Sequence, residues 1–349
     1  MKISNKSVIH KRLKCFVNYI ATEKEKLDEI KAKADDVRDC IESQAKKDGY
    51  TILSSPYSGS FASKTGLRRS LRGNDEVEGQ DVDIAFVLKD SDKNGKPLGC
   101  LIKTFEGYLD NRWPSSDTGH TKSSATIKFS GAKQQYDAVP LIETNRKNIQ
   151  KLIRLQGKDR QSSVVKHKEF MKSRTEASDK IDGVVRFNEC VRLMKWWRYQ
   201  QQIASTILGS EDDEKTEVPS FLINLLCASA YDHCSVYETH AETLARWFSY
   251  LYDVVNRRSS VLFKDFISNP KVQDVTPWAV LDPMDDTNNI VKKWKDKEIN
   301  ELSDWLGDAR DKMIQSIRHN QEGDNQKSLD CLIHLFGNSI SNQCKEIES

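Results

Sequence analysis

Two aspartates that alternate with apolar residues, at the start of a strand-like run, constrain the fold of this chain more than any other feature. Residues 81–88 read DVDIAFVL, a pattern typical of a strand whose neighbouring residues face opposite sides. Asp81 and Asp83 therefore lie on one face of the predicted strand. A second strand-like run, QYDAVP at residues 135–140, carries Asp137. If the two strands pair with Asp137 in register, three carboxylates meet at one patch of a sheet.

Three carboxylates at one patch repel one another unless a cation neutralises them. Hard oxygen ligands favour Mg²⁺ or Mn²⁺, and a pair of such ions can hold the attacking and leaving oxygens of a phosphoryl displacement. The sequence therefore predicts a site for two divalent ions, Mg²⁺ or Mn²⁺, with Asp81, Asp83 and Asp137 as ligands.

A Gly-Ser pair, Gly59-Ser60, precedes both strands. Glycine lets backbone N–H groups approach a phosphate closely, and the hydroxyl of Ser60 adds a further donor. Residues 61–67 are predicted to open a helix whose N-terminus favours anions. Each of these motifs is weak when it stands alone. Together they predict a nucleotide-binding turn beside carboxylates that bind metal.

The three motifs occur in the order of a known family. The runs GSFASKTGLRRS, DVDIAFVL and YDAVP resemble the nucleotidyltransferase core of polymerase-β-like enzymes. Within that superfamily the chain is most similar to the bacterial CD-NTases (cGAS/DncV-like nucleotidyltransferases), relatives of cyclic GMP-AMP synthase and oligoadenylate synthase. The resemblance resumes in islands further along, at NECVRLMKWWR (188–198), PSFL (219–222), LDP (281–283) and NN (288–289).

This resemblance implies an α+β fold with two parts and an active-site cleft between them. Residues 1–183 would form a polymerase-β-like core, a mixed β-sheet with helices, together with the N-terminal helices. Residues 184–349 would form a mainly helical domain that resembles the C-terminal lobe of oligoadenylate synthase. The apolar spacing supports this division. It predicts two helices within 8–48, and long helices at 184–207, 220–231, 237–256 and 300–317.

The segments between the motifs carry predictions of their own. Residues 68–80 are polar and bounded by glycine, so we predict a loop. Residues 123–129 predict a strand that forms a hairpin with 133–141. Residues 143–183 have few apolar anchors and predict an irregular connector with one short helix.

The resemblance also implies residues that bind the nucleotide. Lys195 matches the lysine that holds the triphosphate in relatives. By local pattern it lies between apolar neighbours, where a charge is costly without an anionic partner or a route to solvent. Ser220 matches a serine on the triphosphate, and its position also suits the N-cap of a helix. Phe221 stands where most relatives have a tyrosine stacked on the base, and phenylalanine keeps that stacking face.

With Asp81, Asp83 and Asp137 as catalytic residues, the resemblance implies a metal-dependent nucleotidyltransferase. It would join nucleoside triphosphates, ATP among them, into a cyclic di- or trinucleotide with release of pyrophosphate, for bacterial anti-phage (CBASS) signalling. A linear oligonucleotide or tRNA nucleotidyltransferase would carry the same carboxylates. A non-catalytic nucleotide-binding scaffold is a third possibility. The sequence leaves base choice, linkage and ring size open.

Composition bears on partners and location. The formal net charge is +2, well short of the excess expected for a broad surface that binds duplex nucleic acid. No stretch is long enough to span a membrane, and the first residues lack the apolar core of a signal peptide, so we expect a cytoplasmic protein. The eight cysteines contain no CxxC pair and predict reduced thiols. A regulatory protein partner is possible and unidentified.

Overall fold

A computed structural model describes residues 2–72, 75–90, 100–131, 133–155, 160–179, 185–208, 216–273, 276–344 and 347. The helices are α1 Val8–Ile20, α2 Leu27–Lys47, α3 Gly59–Ala62, α4 Cys100–Arg112, α5 Val164–Asp179, α6 Phe187–Leu208, α7 Ser220–Cys234, α8 His240–Asn256, α9 Asp296–Gln321, α10 Asn325–Phe336 and α11 Asn338–Gln343. The strands are β1 Ile52–Ser54, β2 Arg69–Arg72, β3 Asp75–Glu78, β4 Asp81–Leu88, β5 Asp117–His120, β6 Ala125–Lys128, β7 Gln135–Glu143, β8 Gln150–Leu152, β9 Arg160–Ser162, β10 Leu281–Asp282 and β11 Asp285–Asn289.

The chain divides into two compact units. We call the first the helical unit, which comprises Met1–Ala21, Ser70–Val77 and Phe170–Ser349. The second, the sheet unit, comprises Thr22–Arg69 and Glu78–Glu169. The predicted domain boundary after residue 183 stays a prediction. The units differ from it in three respects: α1 lies with the C-terminal helices, Ser70–Val77 belongs to the helical unit, and the last segment of that unit begins at Phe170.

The sheet unit is built on a mixed sheet in the order β1-β4-β7-β6-β5, with β8 paired to β7 and β9 paired to β8. β4 and β7 are parallel, whereas β1 pairs antiparallel with β4 and β6 pairs antiparallel with β7. The hairpin predicted from residues 123–141 is therefore confirmed. The mixed sheet with helices also confirms the α+β fold class that the resemblance implied.

Strand alternation gives the two faces of β4 different surroundings. Val82, Ile84 and Phe86 are fully buried in a core that also contains apolar residues of α2 and α4. Ala85 and Val87 face the other side, where they pack in a smaller cluster. Because neighbouring strand residues alternate in direction, the first two odd-numbered positions of β4, both aspartates, lie on the face of this smaller cluster.

The helical unit packs around α6, in which Trp196 and Trp197 are 0% exposed. α1 belongs to this unit through both apolar and polar contacts. The Phe16 ring packs edge-on against Trp196 at a centroid distance of 5.5 Å. Lys14 Nζ lies 2.7 Å from a carboxylate oxygen of Glu189 on α6. The first helix of the chain is thereby fixed to a helix that begins more than 160 residues later.

A buried arginine anchors α5 within the helical unit. Arg174 is 6% exposed, and its guanidinium donates to both carboxylate oxygens of Asp232, at 2.9 and 2.6 Å. It also donates to both oxygens of Asp265, at 2.9 and 3.1 Å. The guanidinium lies over the Phe170 ring, 4.0 Å from its centroid. These hydrogen bonds of Arg174 hold α5, which buries few apolar side chains of its own.

Two of the predicted irregular segments contain regular secondary structure in their described residues. The predicted loop at 68–80 is wrong, because β2 and β3 pair in a two-stranded sheet, and Gly79 N donates to Arg68 O at 2.8 Å beside it. The predicted connector at 143–183 is also wrong, because it contains β8, β9 and the 16-residue α5. Both segments are polar. Strands and helices with few apolar residues cannot be identified from the spacing of apolar residues.

In the part of the chain that the structure describes, no helix combines the length and apolar character needed to cross a bilayer.

Candidate active site

The turn at Gly59 is joined to the strand that carries the aspartates. Ser58 N donates to the backbone oxygen of Asp83 at 2.8 Å, and Ala85 N donates to Pro56 O at 2.9 Å. Gly59 has a φ of +58°, a left-handed conformation that glycine adopts without steric cost. The Gly-Ser turn is therefore held by backbone hydrogen bonds beside β4, as the sequence predicts.

The helix that follows the turn differs from its prediction. It begins at Gly59 and ends at Ala62 after a single turn, whereas residues 61–67 were expected to open a longer helix. The backbone oxygen of Ser60 accepts hydrogen bonds from Thr65 N at 3.0 Å and Gly66 N at 3.1 Å. The chain thus folds back on Ser60, and this closed loop takes the place of further helical turns.

The parallel pairing of β4 and β7 aligns the aspartates. Asp83 is the register partner of Asp137, and Asp81 is the partner of Gln135. Register partners in a parallel pair point to the same face of the sheet, so the three carboxylates share one face. The hypothesis of in-register pairing is confirmed. Asp81 is exposed, whereas Asp83 and Asp137 are half-buried.

The carboxyl group of Asp137 accepts two hydrogen bonds and has a raised pKa. Gln135 Nε2 donates to Asp137 Oδ1 at 2.9 Å, and Ser124 Oγ donates to Asp137 Oδ2 at 3.5 Å. Burial nevertheless raises the pKa of Asp137 to about 6; the two hydrogen bonds lower it and the charge of Asp81 raises it further. Asp81 and Asp137 are therefore close enough to repel each other.

Gln135 and Ser124 were not among the predicted site residues. Gln135 occurs two positions before Asp137, and this spacing places both side chains on one face of a strand. That signal was available in the sequence. Ser124 directly precedes β6, and the pairing of β6 with β7 brings it beside Asp137. Ser124 Oγ also lies 2.8 Å from Thr121 Oγ1. Only the tertiary structure shows this second contact.

The donor chemistry of the three aspartates fits a divalent cation. Carboxylate oxygens are hard ligands of the kind that Mg²⁺ and Mn²⁺ prefer. A cation would offset both the burial of the Asp137 charge, which is the main cause of its raised pKa, and the smaller effect of the Asp81 charge. Among the described residues, no three His, Cys, Asp or Glu side chains are grouped as ligands of one ion. The side chains as they stand would have to turn toward a shared ion, and the predicted metal ligands stay a prediction.

The remaining predicted site residues lie in the helical unit. Lys195 on α6 is 2% exposed, and its charge lowers the otherwise raised pKa of the Cys227 thiol on α7. Ser220 was expected at the N-cap of α7, but Pro219 holds that position and Ser220 is the first helical residue. Ser220 and Phe221 are half-buried. The nucleotide-binding roles of Lys195, Ser220 and Phe221 stay predictions.

A mixed sheet with register-matched aspartates beside a Gly-Ser turn resembles the core of a polymerase-β-like nucleotidyltransferase. Comparisons with known proteins agree with this class. Residues 8–171 match the family model "Second Messenger Oligonucleotide or Dinucleotide Synthetase domain". The chain is 25% identical to the cyclic AMP-AMP-AMP synthase of Escherichia coli (strain MS 115-1) over 323 residues, which cover 88% of this chain and 91% of that protein.

Solved structures extend the match to nearly the whole chain. The E. coli MS115-1 CdnC:HORMA-deltaN complex matches with a TM-score of 0.76 and 23% identity, over 96% of this chain and 99% of that one. The Bradyrhizobium diazoefficiens CD-NTase CdnG in complex with GTP matches with a TM-score of 0.72 and 14% identity, over 99% and 100%. The chain thus has the fold of the CD-NTases, and residues 8–171 are similar to a Second Messenger Oligonucleotide or Dinucleotide Synthetase domain.

Proposed function

We propose that this protein joins nucleoside triphosphates into a cyclic di- or trinucleotide and releases pyrophosphate. One observation carries the proposal: Asp83 and Asp137 are register partners on parallel strands, and Ser58, directly before Gly59-Ser60, donates a hydrogen bond to the backbone oxygen of Asp83. This arrangement brings acidic side chains and a phosphate-binding turn to one place, as nucleotidyl transfer requires.

The proposed roles of the sheet unit follow from its contacts. The backbone at Gly59 can approach a phosphate closely because the residue has no side chain, and Ser60 offers a hydroxyl donor. We assign to Asp137 the further role of accepting the proton of the ribose hydroxyl that attacks the α-phosphate. A carboxylate can serve as a general base when it lies within hydrogen-bond reach of the proton that it accepts.

Asp81, Asp83 and Asp137 are the residues that would hold two Mg²⁺ or Mn²⁺ ions. Bound ions would supply charge neutralisation for the triphosphate and would lower the pKa of the attacking hydroxyl. Gln135 and Ser124 hold the Asp137 carboxylate by hydrogen bonds, which orients it for this work.

We propose that Lys195, Ser220 and Ser60 bind the β- and γ-phosphates. These groups would stabilise the negative charge of the pyrophosphate as it leaves. Phe221 is assigned to stacking on a base. Lys195 is nearly buried, and an anionic ligand would offset the cost of a charge at such a position. The half-buried state of Ser220 and Phe221 leaves part of each side chain open to a ligand.

Substrates and partners are proposed from the relatives. The name of the E. coli relative, a cyclic AMP-AMP-AMP synthase, supports ATP as one substrate. CdnC was solved in complex with HORMA-deltaN, which supports a regulatory protein partner for this chain as well. We propose that the product acts as a signal in bacterial anti-phage (CBASS) defence.

The test is to incubate the full chain with radiolabelled ATP, GTP, CTP and UTP in Mg²⁺ or Mn²⁺, followed by phosphatase and separation of products. The proposal predicts a short product that resists phosphatase, because a cyclic oligonucleotide has no terminal phosphate. A ladder of long products would instead support a linear oligonucleotide or tRNA nucleotidyltransferase. ATP consumption that persists in an Asp81→Asn variant would support a scaffold with an unrelated activity.

A further inference from the structure

Two cysteines from opposite ends of the chain meet in the helical unit. Cys15 lies on α1, and Cys344 directly follows the last residue of α11. Cys344 Sγ donates to the backbone oxygen of Arg12 at 3.4 Å, and Cys15 Sγ donates to the backbone oxygen of Gln343 at 3.6 Å. The two thiols are also within hydrogen-bonding reach of each other.

These contacts are reciprocal. Arg12 lies one helical turn before Cys15, and Gln343 directly precedes Cys344. Each thiol therefore donates to the backbone segment that carries the other cysteine. Because α1 and α11 pack together and each thiol lies against the other cysteine's backbone segment, the two sulfurs are placed for an S–S bond of about 2.05 Å.

The two thiols differ in their access to solvent. Cys15 is half-buried, whereas Cys344 is 3% exposed. Burial, together with its hydrogen bond to Cys15, raises the pKa of Cys344 to about 12. A dissolved oxidant therefore meets Cys15 first, and Cys344 can react only with a partner that is already beside it.

Other cysteines of the chain provide internal comparisons. Cys190 and Cys227 also lie close enough to interact, but both are 0% exposed, so a dissolved oxidant has no entry to that pair. Cys100 is exposed and belongs to the sheet unit. Cys100 therefore serves as a reference for modification of an exposed thiol that forms no intramolecular disulfide.

We propose that Cys15 and Cys344 form a redox modification site that closes an intramolecular disulfide by exchange with a small-molecule disulfide such as oxidised glutathione. The Cys15 thiolate attacks oxidised glutathione, forms a mixed disulfide and releases one glutathione thiolate. The Cys344 thiolate then attacks the Cys15 sulfur and releases the second. The protein thiols lose two protons and two electrons, and oxidised glutathione is reduced to two thiols.

The bond would fix the first helix to the end of the chain. In the reduced protein, α1 is held by packing and by the ion pair of Lys14 with Glu189. A link between residues 15 and 344 would close nearly the whole chain into one loop, which restricts the unfolded state and stabilises the folded one. The oxidised protein should therefore melt several degrees above the reduced protein.

The test uses the full chain, reduced, freed of reductant and then incubated with oxidised glutathione. Non-reducing peptide mapping should find a linked pair of peptides that contain Cys15 and Cys344, and differential scanning fluorimetry should show the rise in Tm. In the Cys344→Ser variant, Cys15 should retain one glutathione and the Tm should not rise. The Cys100→Ser variant is the matched control and should form the link as the parent does.

Two outcomes would overturn the proposal. One is a parent protein in which glutathione stays on Cys15 while no link to Cys344 forms. The other is a link that forms only after the chain has been unfolded by denaturant. Because a serine at buried Cys344 can disturb folding, the Cys15→Ser variant changes the more exposed residue of the pair, and it should lose the link while Cys344 stays unmodified. Glutathione on Cys344 in that variant would contradict the assigned order of reaction.

Discussion

The carboxylate of Asp83 occupies the space that a side chain on Gly59 would need. A Cβ atom added to Gly59 would lie 2.0 Å from Asp83 Oδ2 and 2.8 Å from Asp83 Cγ. The turn that is proposed to bind phosphate and the carboxylate that is proposed to bind metal are thus in direct contact. Glycine at residue 59 permits both this contact and the positive φ of the turn.

We therefore expect Gly59→Ala to lower kcat/KM by about 100-fold, because a shift of about 1 Å in a reacting group is enough for a loss of this size. The new methyl group must displace either the Asp83 carboxylate or the turn. Product formation from labelled ATP measures the effect. Gly107→Ala is the matched control, since a Cβ at Gly107 on α4 meets nothing within 4 Å. Equal activity of the two variants would show that the contact does not matter.

Replacement of the aspartates on β4 should remove activity without unfolding the protein. Asp83→Asn keeps the size of the side chain and removes the charge, so we expect a loss of at least about 100-fold in kcat. Asp117→Asn, at an exposed position of β5, should retain the parent's activity. Circular dichroism and Tm should be close to those of the parent in both variants. An active Asp83→Asn enzyme would remove this residue from the catalytic set.

Asp137 should make stability depend on pH in the absence of divalent ions. Burial raises its pKa from the ordinary 3.8 to about 6, so between these values the folded protein binds more protons than the unfolded chain. Stability from this group is therefore lost as pH rises through about 6. At pH 7.5, Asp137→Asn removes the unfavourable charge and should stabilise the apo protein by about 1–3 kcal/mol.

Thermal melts at pH 5 and pH 7.5, in buffer with a chelator, measure this effect. The difference in Tm between Asp137→Asn and the parent should be larger at pH 7.5 than at pH 5. A variant that is less stable than the parent at pH 7.5 would contradict the raised pKa. The same variant should be inactive at either pH, which separates the stability of the site from its function.

Arg174 should be important for stability although it is far from the proposed chemistry in sequence. Arg174→Met would leave the Asp232 and Asp265 carboxylates without their shared partner, at a cost of about 2–4 kcal/mol. Lys172→Met on the same helix removes an exposed i,i+4 pair with Glu176 and should cost less than about 1 kcal/mol. Urea unfolding measures the free energy of unfolding of both variants. Equal losses in the two variants would show that the Arg174 contacts do not stabilise the fold.

The arrangement of the aspartates could be predicted because it depends on local rules. Alternation along residues 81–88 fixes the face of Asp81 and Asp83, and the YDAVP run places Asp137 on a strand. The remaining requirement, parallel pairing with Asp83 beside Asp137, is met by the sheet. The Gly-Ser turn was likewise identified from residue type, since few other residues tolerate its backbone geometry.

The parts that sequence reasoning missed depend on tertiary contacts. The Ser124 hydrogen bond to Asp137 joins residues 13 positions apart, and no local pattern reports it. α5 was predicted as a short helix in an irregular connector because its anchor is Arg174, and arginine is usually found on a solvent-exposed face.

Strand β3, at 75–78, is polar at three of its four positions, so alternation could not identify it. Gly73-Asn74, which precedes it in the sequence, is a dipeptide typical of hairpins, and that signal was overlooked.

The central claim is that Asp81, Asp83 and Asp137 share metal ions beside the Gly59 turn. The most direct measurement is a crystal structure with Mn²⁺ and a non-hydrolysable ATP analogue, in which anomalous scattering locates the metal. The account predicts manganese bound by oxygens of all three carboxylates, with the triphosphate against the backbone of Gly59 and Ser60. A nucleotide bound elsewhere, or manganese that none of the three aspartates contacts, would contradict it.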